Sequence, residues 1–550
     1  MNKINLFLLL CLLPFFSCKK GSNEVPPPAP SSFKETAITI DGKTGIFNNI
    51  AVGAIIKITF SEAISPTGLA SNILFKDLTG ATSIAFIASI ENSSTVVIQP
   101  TSNLQGIKAY NITVATTLKS TANGNLQNAV SINFNTGIDN TDKFPILSDE
   151  DLLNKVQQQT LKYFYDFGHP KSGMARERNT SGDLVTTGGT GFGIMALVTG
   201  VSRNFISRAE GLARIQKIVA FLKTANRFHG AYPHWMDGNT GAVIPFSQKD
   251  DGGDLVETSF LMQGLLTARQ YFNLASTDES TLRTDISTIY NGVEWDWYRK
   301  DNSNALYWHW SPNYNWDMNM PIRGWNEALI TYVLAAASPT HPIPRSVYDN
   351  GWAQNGGMKN GNSYYGVQLP LGPPAGGPLF FSHYSFLGIN PFGLTDAYAN
   401  YESQNKAHAQ INYNYCKANP LGYYGYSENC WGLTASDIPN GYTASSPTND
   451  KGVIAPTAAL ASFPYTPVES MQALKFFYYK LGDKIFKEYG FVDAFSLQEQ
   501  WFASSTLAID QGPIIVMIEN YRTKLLWNLF MSAPEVKTGM KNLGFTSPGL

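Results

Sequence analysis

Charge is what this chain has least of. Only 15% of its 550 residues are Asp, Glu, Lys or Arg, against roughly 25% in an average soluble domain. The formal net charge is −2, and nucleic-acid binding depends on clustered Lys and Arg, so no nucleic-acid partner is expected. Cysteine is scarce too: of four, Cys11 and Cys18 fall in the N-terminal segment, leaving Cys416 and Cys430 for the body. Their spacing has none of the CxxC or histidine-bearing character of a zinc site. A disulfide in an oxidising compartment and two buried thiols both stay open. The seven histidines are scattered and no HExxH occurs, so no catalytic metal is expected, and no cofactor. GxSxG and phosphate-loop motifs are missing as well, which leaves serine-hydrolase and nucleotide chemistry unsupported.

Aromatic residues, by contrast, reach 13%, and hydrophobic residues make up 43%, enough for a large core in two or three domains. An aromatic-rich, charge-poor surface suits a neutral ligand with flat apolar faces. Sugars are the commonest ligands of that kind.

The N-terminus carries an address. Lys3 precedes an apolar run from Ile4 to Phe16, too short for a bilayer span and suited to a signal-peptide core. The Phe15-Phe16-Ser17-Cys18 sequence resembles a lipoprotein processing site, with Cys18 as the acylated first residue of an exported protein. Export with a lipid anchor, in the periplasm or at the outer membrane or cell surface, is the expected location. Residues 18–34, with Pro26, Pro27, Pro28 and Pro30, form a tether.

From 35 to 138 short β-branched runs alternate with Gly, Asn, Ser and Pro turns, as in Ile55–Phe60, Thr95–Ile98 and Tyr110–Val114. Strands of this length and spacing predict a small β-sandwich. The run Ile58-Thr59-Phe60-Ser61-Glu62-Ala63-Ile64 resembles a stretch of bacterial immunoglobulin-like domains. No catalytic group is evident there, and a spacer or docking role is expected.

Over 145–548 the periodicity becomes helical. Predicted helices are Asp149–Phe167, Arg208–Lys223, Leu255–Phe272, Thr281–Tyr298, Asn326–Ala337, Ala397–Tyr415, Met471–Leu481 and Ile514–Phe530. Some stretches, such as Gly189–Leu197 and the run after Gly253, are small and apolar on every side, the pattern of helices buried all round. Alternation of these with amphipathic helices predicts an inner ring wrapped by an outer one, an (α/α)6 toroid. The inner-helix entries would then open onto one shared cavity.

Acidic residues concentrate at such entries. In Lys249-Asp250-Asp251-Gly252-Gly253-Asp254-Leu255-Val256-Glu257 a helix starting near Asp254 puts Asp254 and Glu257 on one face, with Asp250 just ahead. Glycosidic cleavage needs two carboxyls, one protonated and one ionised. Crowding raises one pKa while a helix N-terminus favours the ionised form. The same spacing also describes an N-cap with Glu at N3. Glu327 opens another apolar helix after Arg323-Gly324-Trp325-Asn326, in the company of Trp308, Trp310 and Trp316. Indole faces beside carboxylates suit sugar stacking. Trp235, Trp310, Trp316, Trp325, Tyr384 and Trp431 are therefore candidate substrate contacts, with His383, Asp510, Gln511 and Glu519 as polar ones.

Five stretches then become specific together: Gly253–Phe260, Gly324–Ala328, Ser382–Phe386, Ile454–Ala459 and Ile518–Arg522. In this order they resemble the glucoamylase-like domain of glycoside hydrolase family 144, from about Asp149 to Phe545. The resemblance implies an (α/α)6 toroid acting on β-1,2-glucan, internally or with release of sophorose from chain ends. It implies Asp250, Asp254, Glu257 and Glu327 as the essential acids. Glu327 and one of Asp254 and Glu257 are expected to face each other as acid and base. Helical toroids also carry polysaccharide lyases and transglycosylases, and a surface glycan-binding protein would use the same aromatics without turnover. A lyase acting on uronates would want a basic cleft, whereas the motifs here are acidic and aromatic.

Overall fold

The structure is a computed structural model describing residues 31–78 and 82–550. The leader, Cys18 and the tether up to Pro30 lie outside the described residues. The chain divides into two compact units between Asp139 and Asn140.

The N-terminal unit is all β. Strand β1 (Ser32–Phe33) is followed by β2 (Glu35–Ile40), β3 (Ile56–Phe60), β4 (Ile73–Asp77), β5 (Phe86–Glu91), β6 (Thr95–Pro100), β7 (Ala109–Val114), β8 (Asn125–Leu126) and β9 (Val130–Asn135). One antiparallel sheet has the order β2-β3-β6-β5 and a second β4-β7-β9. Alternate residues point inward, so Ile56, Ile58 and Phe60 meet Ile112, Val114 and Ile132 in a single core. Ser32 and Phe33, placed in the tether by sequence, are instead paired with Asn125 and Leu126.

The second unit is helical. Helices are α1 (Asp149–Tyr165), α2 (Thr187–Ser202), α3 (Arg208–Leu222), α4 (Leu255–Tyr271), α5 (Thr277–Asn291), α6 (Leu329–Ala337), the single turn α7 (Arg345–Val347), α8 (Tyr401–Ala418), α9 (Pro456–Leu460), α10 (Pro467–Lys475), the turn α11 (Gly482–Ile485), α12 (Ala508–Thr523), α13 (Leu525–Ser532) and α14 (Pro534–Leu543). Every residue of α6 and α9, and nearly every one of α2, α4 and α12, is buried. These form the inner ring: α2 lies against α4 and α12, α4 against α6, and α12 against α9. Between α6 and α9 the ring is continued by 3-10 turns at Leu379–Ser382 and Ser385–Leu387. Helices α1, α3, α5, α8 and α10 bury one face only and form the outer layer. Side-chain caps start several of them, including the reciprocal Ser207–Glu210 box of α3. The chain is thus an all-α toroid preceded by an immunoglobulin-like sandwich.

Local chemistry accounts for departures from the predicted helices. Ser276 caps α5, which begins at Thr277, four residues before the predicted start, and stops at Gly292. The stretch Ile514–Phe530 is two helices, broken where Lys524 takes φ +61°. Helix α6 starts at Leu329 and not at Asn326, whose side chain accepts from Ala328 N at 2.9 Å and turns the chain into the helix. Cys416 and Cys430 are two buried free thiols.

The closest helix crossing is built on glycine. A Cβ on Gly191 of α2 would collide with Phe260 O of α4, and one on Gly264 of α4 with Gly191 O. No side-chain rotation relieves a clash with backbone. Gly191→Ala is therefore expected to destabilise the toroid by about 2–3 kcal/mol, read as a lower urea midpoint with an unchanged m-value.

Candidate active site

The starts of the inner helices converge on a cavity of about 470 Å³ lined by Trp235, Phe246, Glu257, Phe260, Trp308, Glu327, Phe380, Tyr384 and Tyr442, with Glu177, Arg178 and His234 at its polar edge. A larger depression of about 930 Å³ lies elsewhere, among Asp149, Arg203, Val468, Tyr521 and Arg522. Its charges are already paired with one another, as in Lys475–Asp149 and Arg203–Glu150, and the converging acids are absent from it.

Asp254 organises the site. It is the N-cap of α4, with Oδ1 accepting from Val256 N at 3.0 Å and Glu257 N at 2.9 Å. The two-residue pairing of Gly253–Asp254 with His309–Trp310 sets His309 beside it. Asp254 Oδ2 then lies 3.1 Å from His234 Nδ1 and 3.4 Å from His309 Nε2, and His309 Nε2 lies 3.3 Å from Asp250 Oδ2. Two buried carboxylates thus meet two imidazoles. Burial opposes the charged histidines, but Glu257, Asp254 and Asp250 prevail, raising His234 to about 9 and, through Asp250 and Asp254, His309 to about 10. Burial alone would likewise lift Asp254, yet hydrogen bonds and charge from His234 and His309 hold it well below the usual carboxylate range. Asp254 is an ionised anchor, unsuited to giving up or taking a proton near neutrality.

Donor atoms of His234, Asp250 and Asp254 all lie within 4.8 Å of one another. Carboxylates face both histidines here, Asp254 against His234, and Asp250 and Asp254 against His309. The group is balanced as an ion-paired cluster.

Glu257 behaves differently. One turn into α4, it faces the cavity and accepts from Gly188 N, in the first turn of α2, at 2.7 Å. Burial pushes it up to about 7, with His234 and the Gly188 N–H pulling down and Asp254 and Asp250 pushing up. Glu327 is delivered by the lead-in to α6. Gly324 takes φ +75° there, a left-handed conformation natural to glycine. Ser385 fastens the turn, donating to Glu327 O and accepting from Ile330 N at 2.9 Å. Burial raises Glu327 to about 7, opposed by a backbone hydrogen bond and reinforced by Asp254 and Glu257.

Of the residues named from sequence, Glu257, Glu327, Trp235 and Tyr384 line this cavity. Asp250 and Asp254 are buried beside it. Trp310 and Trp316 belong instead to an aromatic cluster with Trp297 and His229. Trp325 is core, against Trp352 and Phe386. Trp431 is core as well, its Nε1 donating to Glu469 O at 3.1 Å. His383 is buried, bonded to Ser462 Oγ at 3.0 Å and lowered by burial to about 3, a neutral packing residue. Glu519 is ion-paired to Arg203 at 2.7 Å near the C-terminal end of α12. Gln511 donates to Phe491 O at 2.8 Å, and Asp510 is buried next to Asp493. Sequence reasoning missed His309, Phe246, Arg178 and Tyr442. Only the strand pairing reveals the first; Phe246 and Arg178 lie in loops and Tyr442 on a short hairpin, all without a readable periodicity.

Asp254→Ala removes the cap, worth about 1 kcal/mol, and breaks a buried ion pair, worth about 3–5 kcal/mol. Asp254→Asn keeps the cap. Urea unfolding is therefore expected to show a large loss in both variants, with Ala about 1 kcal/mol worse.

Comparison with known proteins agrees with this architecture. The family described as "Putative glucoamylase" matches residues 319–534, and the bacterial Ig-like domain matches residues 36–136. An endo-β-1,2-glucanase from Chitinophaga pinensis, solved with sophorotriose and glucose, is 53% identical at TM-score 0.72, covering 74% of this chain and 100% of its own. A β-1,2-glucanase structure from Parabacteroides distasonis is 39% identical at TM-score 0.71, covering 94% of this chain and 74% of its own. An exo β-1,2-glucooligosaccharide sophorohydrolase (non-reducing end) from Parabacteroides distasonis is 49% identical over 420 residues, 72% of this chain. The chain spans 58% of that curated relative's length. With convergent inner-helix acids, an aromatic cavity and a relative 53% identical matched over its full length, the chain belongs to the bacterial glucoamylase-like proteins of glycoside hydrolase family 144.

Proposed function

We propose that this protein hydrolyses β-1,2-glucan or its oligosaccharides, with Glu327 as general acid and Glu257 as general base. The observation that carries the proposal is two carboxyls, both raised to about 7, on one aromatic-lined cavity. Both carboxyls titrate near neutrality, and the charge of Glu257 raises Glu327. Glu257 receives the Gly188 N–H and lies 3.9 Å from His234 Nε2, both of which favour its anion. Glu327 is held mainly by its own backbone and takes the proton. An acid and an ionised base are what glycosidic cleavage requires, and their separation decides whether the anomeric centre is inverted or retained. Asp254 and Asp250 act electrostatically, through the histidines. Trp235, Phe246 and Trp308 offer faces for sugar rings. The linkage is supported by what the matched Chitinophaga and Parabacteroides enzymes are named for.

Glu327→Gln is expected to lower kcat on linear β-1,2-glucan by about a thousandfold with the melting profile preserved. Near-normal turnover would contradict the assignment. Chromatography of early products separates the modes: sophorose alone marks exo action, a spread of oligomers endo action. Tight binding without new reducing ends would mark a glycan-binding protein, and an ultraviolet-absorbing unsaturated product a lyase.

Export and lipid anchoring through Cys18 belong to the same proposal, supported by the apolar run Ile4–Phe16 and the Ser17-Cys18 junction. Among the described residues no helix is long and apolar enough to cross a membrane. Metabolic labelling with a fatty acid is expected to mark the wild type and to leave Cys18→Ala unlabelled and released from membranes.

A further inference from the structure

Beside the cavity stands a second pair of acids that the reaction above does not use. Asp493 and Asp510 are 1% and 2% exposed, and each carboxyl is within hydrogen-bonding reach of the other. Asp493 Oδ1 and Asp510 Oδ2 are buried, and neither has a hydrogen-bond partner among the described residues. The remaining oxygen of Asp493 accepts from Asp437 N at 2.6 Å. If both acids were ionised, two buried oxygens would lack donors and two like charges would touch, each costly. One proton held between them removes both penalties.

Asp437 belongs to the hairpin Ala435–Ile438/Gly441–Ala444, in which it pairs with Tyr442. Ala435, Tyr442 and Ala444 of that hairpin line the cavity, as do Glu177 and Arg178. The Asp437 carboxylate lies 3.2 Å from Arg178 Nη1 and accepts from Ser505 Oγ, while Arg178 Nε sits 2.8 Å from Glu177. Asp493 is thus the buried support of one cavity wall. We propose that Asp493 and Asp510 share a single proton and act as a positioning pair that holds this hairpin, and with it Tyr442, against the substrate cleft.

The groups facing the pair are Asp437, Glu177, Tyr442 and Tyr384, with Arg178 the cation among them. Burial raises Asp493 to about 7, against a hydrogen bond from Asp510, and raises Asp510 further, reinforced by the charge of Asp493. Loss of the proton at alkaline pH would set two anions against each other beneath the hairpin. Glu257 and Glu327 stand on α4 and on the lead-in to α6. Substrate affinity is therefore expected to suffer before the chemical step.

The test compares Asp493→Asn with Asp493→Ala. Asparagine still accepts from Asp437 N and donates its amide to Asp510, replacing the shared proton with a hydrogen bond that does not titrate. Asp493→Asn should keep kcat and KM for β-1,2-glucan within about twofold of wild type at neutral pH and abolish the alkaline rise in KM. Asp493→Ala should raise KM about tenfold at every pH with kcat little changed. Equal damage from both variants, or an alkaline KM rise that persists in Asp493→Asn, would overturn the proposal. The KM arm rests on the β-1,2-glucan activity proposed above, so a melting arm stands apart from it. A carboxyl raised in the folded state contributes stability at low pH that is lost as pH rises through its folded value. Between about pH 6 and about pH 8.5 the wild-type melting temperature should therefore fall further than that of Asp493→Asn. Parallel melting curves would refute the shared proton even if the protein acted on another glucan.

Discussion

The close approach of α2 and α4 is the constraint on which the rest of the site depends. Glycine at 191 and 264 lets backbone meet backbone, and the two helix starts are brought to one place. From there Gly188 of α2 directs its N–H onto Glu257 of α4, and a Cβ on Gly188 would strike that carboxylate. The contact works in two ways. It orients the glutamate into the cavity, and it opposes the rise in pKa that burial imposes.

Around that point the molecule divides its acids by environment. Asp254 and Glu257 are three residues apart on one helix, yet one is held far into the ionised range and the other poised near neutrality. The difference is their partners: Asp254 has two imidazoliums and two backbone N–H groups, whereas Glu257 has one N–H and a histidine at 3.9 Å. Glu327 has no ion pair among the described residues, and burial, reinforced by Asp254 and Glu257, raises it to about 7. A cavity that needs an acid and a base near neutrality obtains them from unequal shielding of like groups.

Much of this could be read from sequence because it depends on local patterns. Inner helices announce themselves as runs apolar on every side, and Asp254-x-x-Glu257 fixes both a cap and a catalytic candidate within one turn. The toroid, the sandwich and the acid cluster follow from such patterns. What sequence could not supply is partnership across distance. His309 acquires meaning only from pairing with Asp254 across a two-residue strand. The tryptophans show the same: Trp325 stands two residues from Glu327 along the chain, but packing turns it, like Trp431, into the core. Tyr442, on a short hairpin, and Phe246, in a loop, do line the cavity, and tertiary contacts set the course of both segments.

The central claim is that Glu257 and Glu327, on one cavity, both titrate near neutrality. Its most direct test is a pH titration of side-chain carboxyl carbons in protein labelled with ¹³C-glutamate, the two signals assigned by their loss in Glu257→Gln and Glu327→Gln. The account predicts two carboxyls titrating around 7, with Glu257→Gln lowering the pKa of Glu327. Independent titration of both in the ordinary glutamate range, about 4–5, would contradict it.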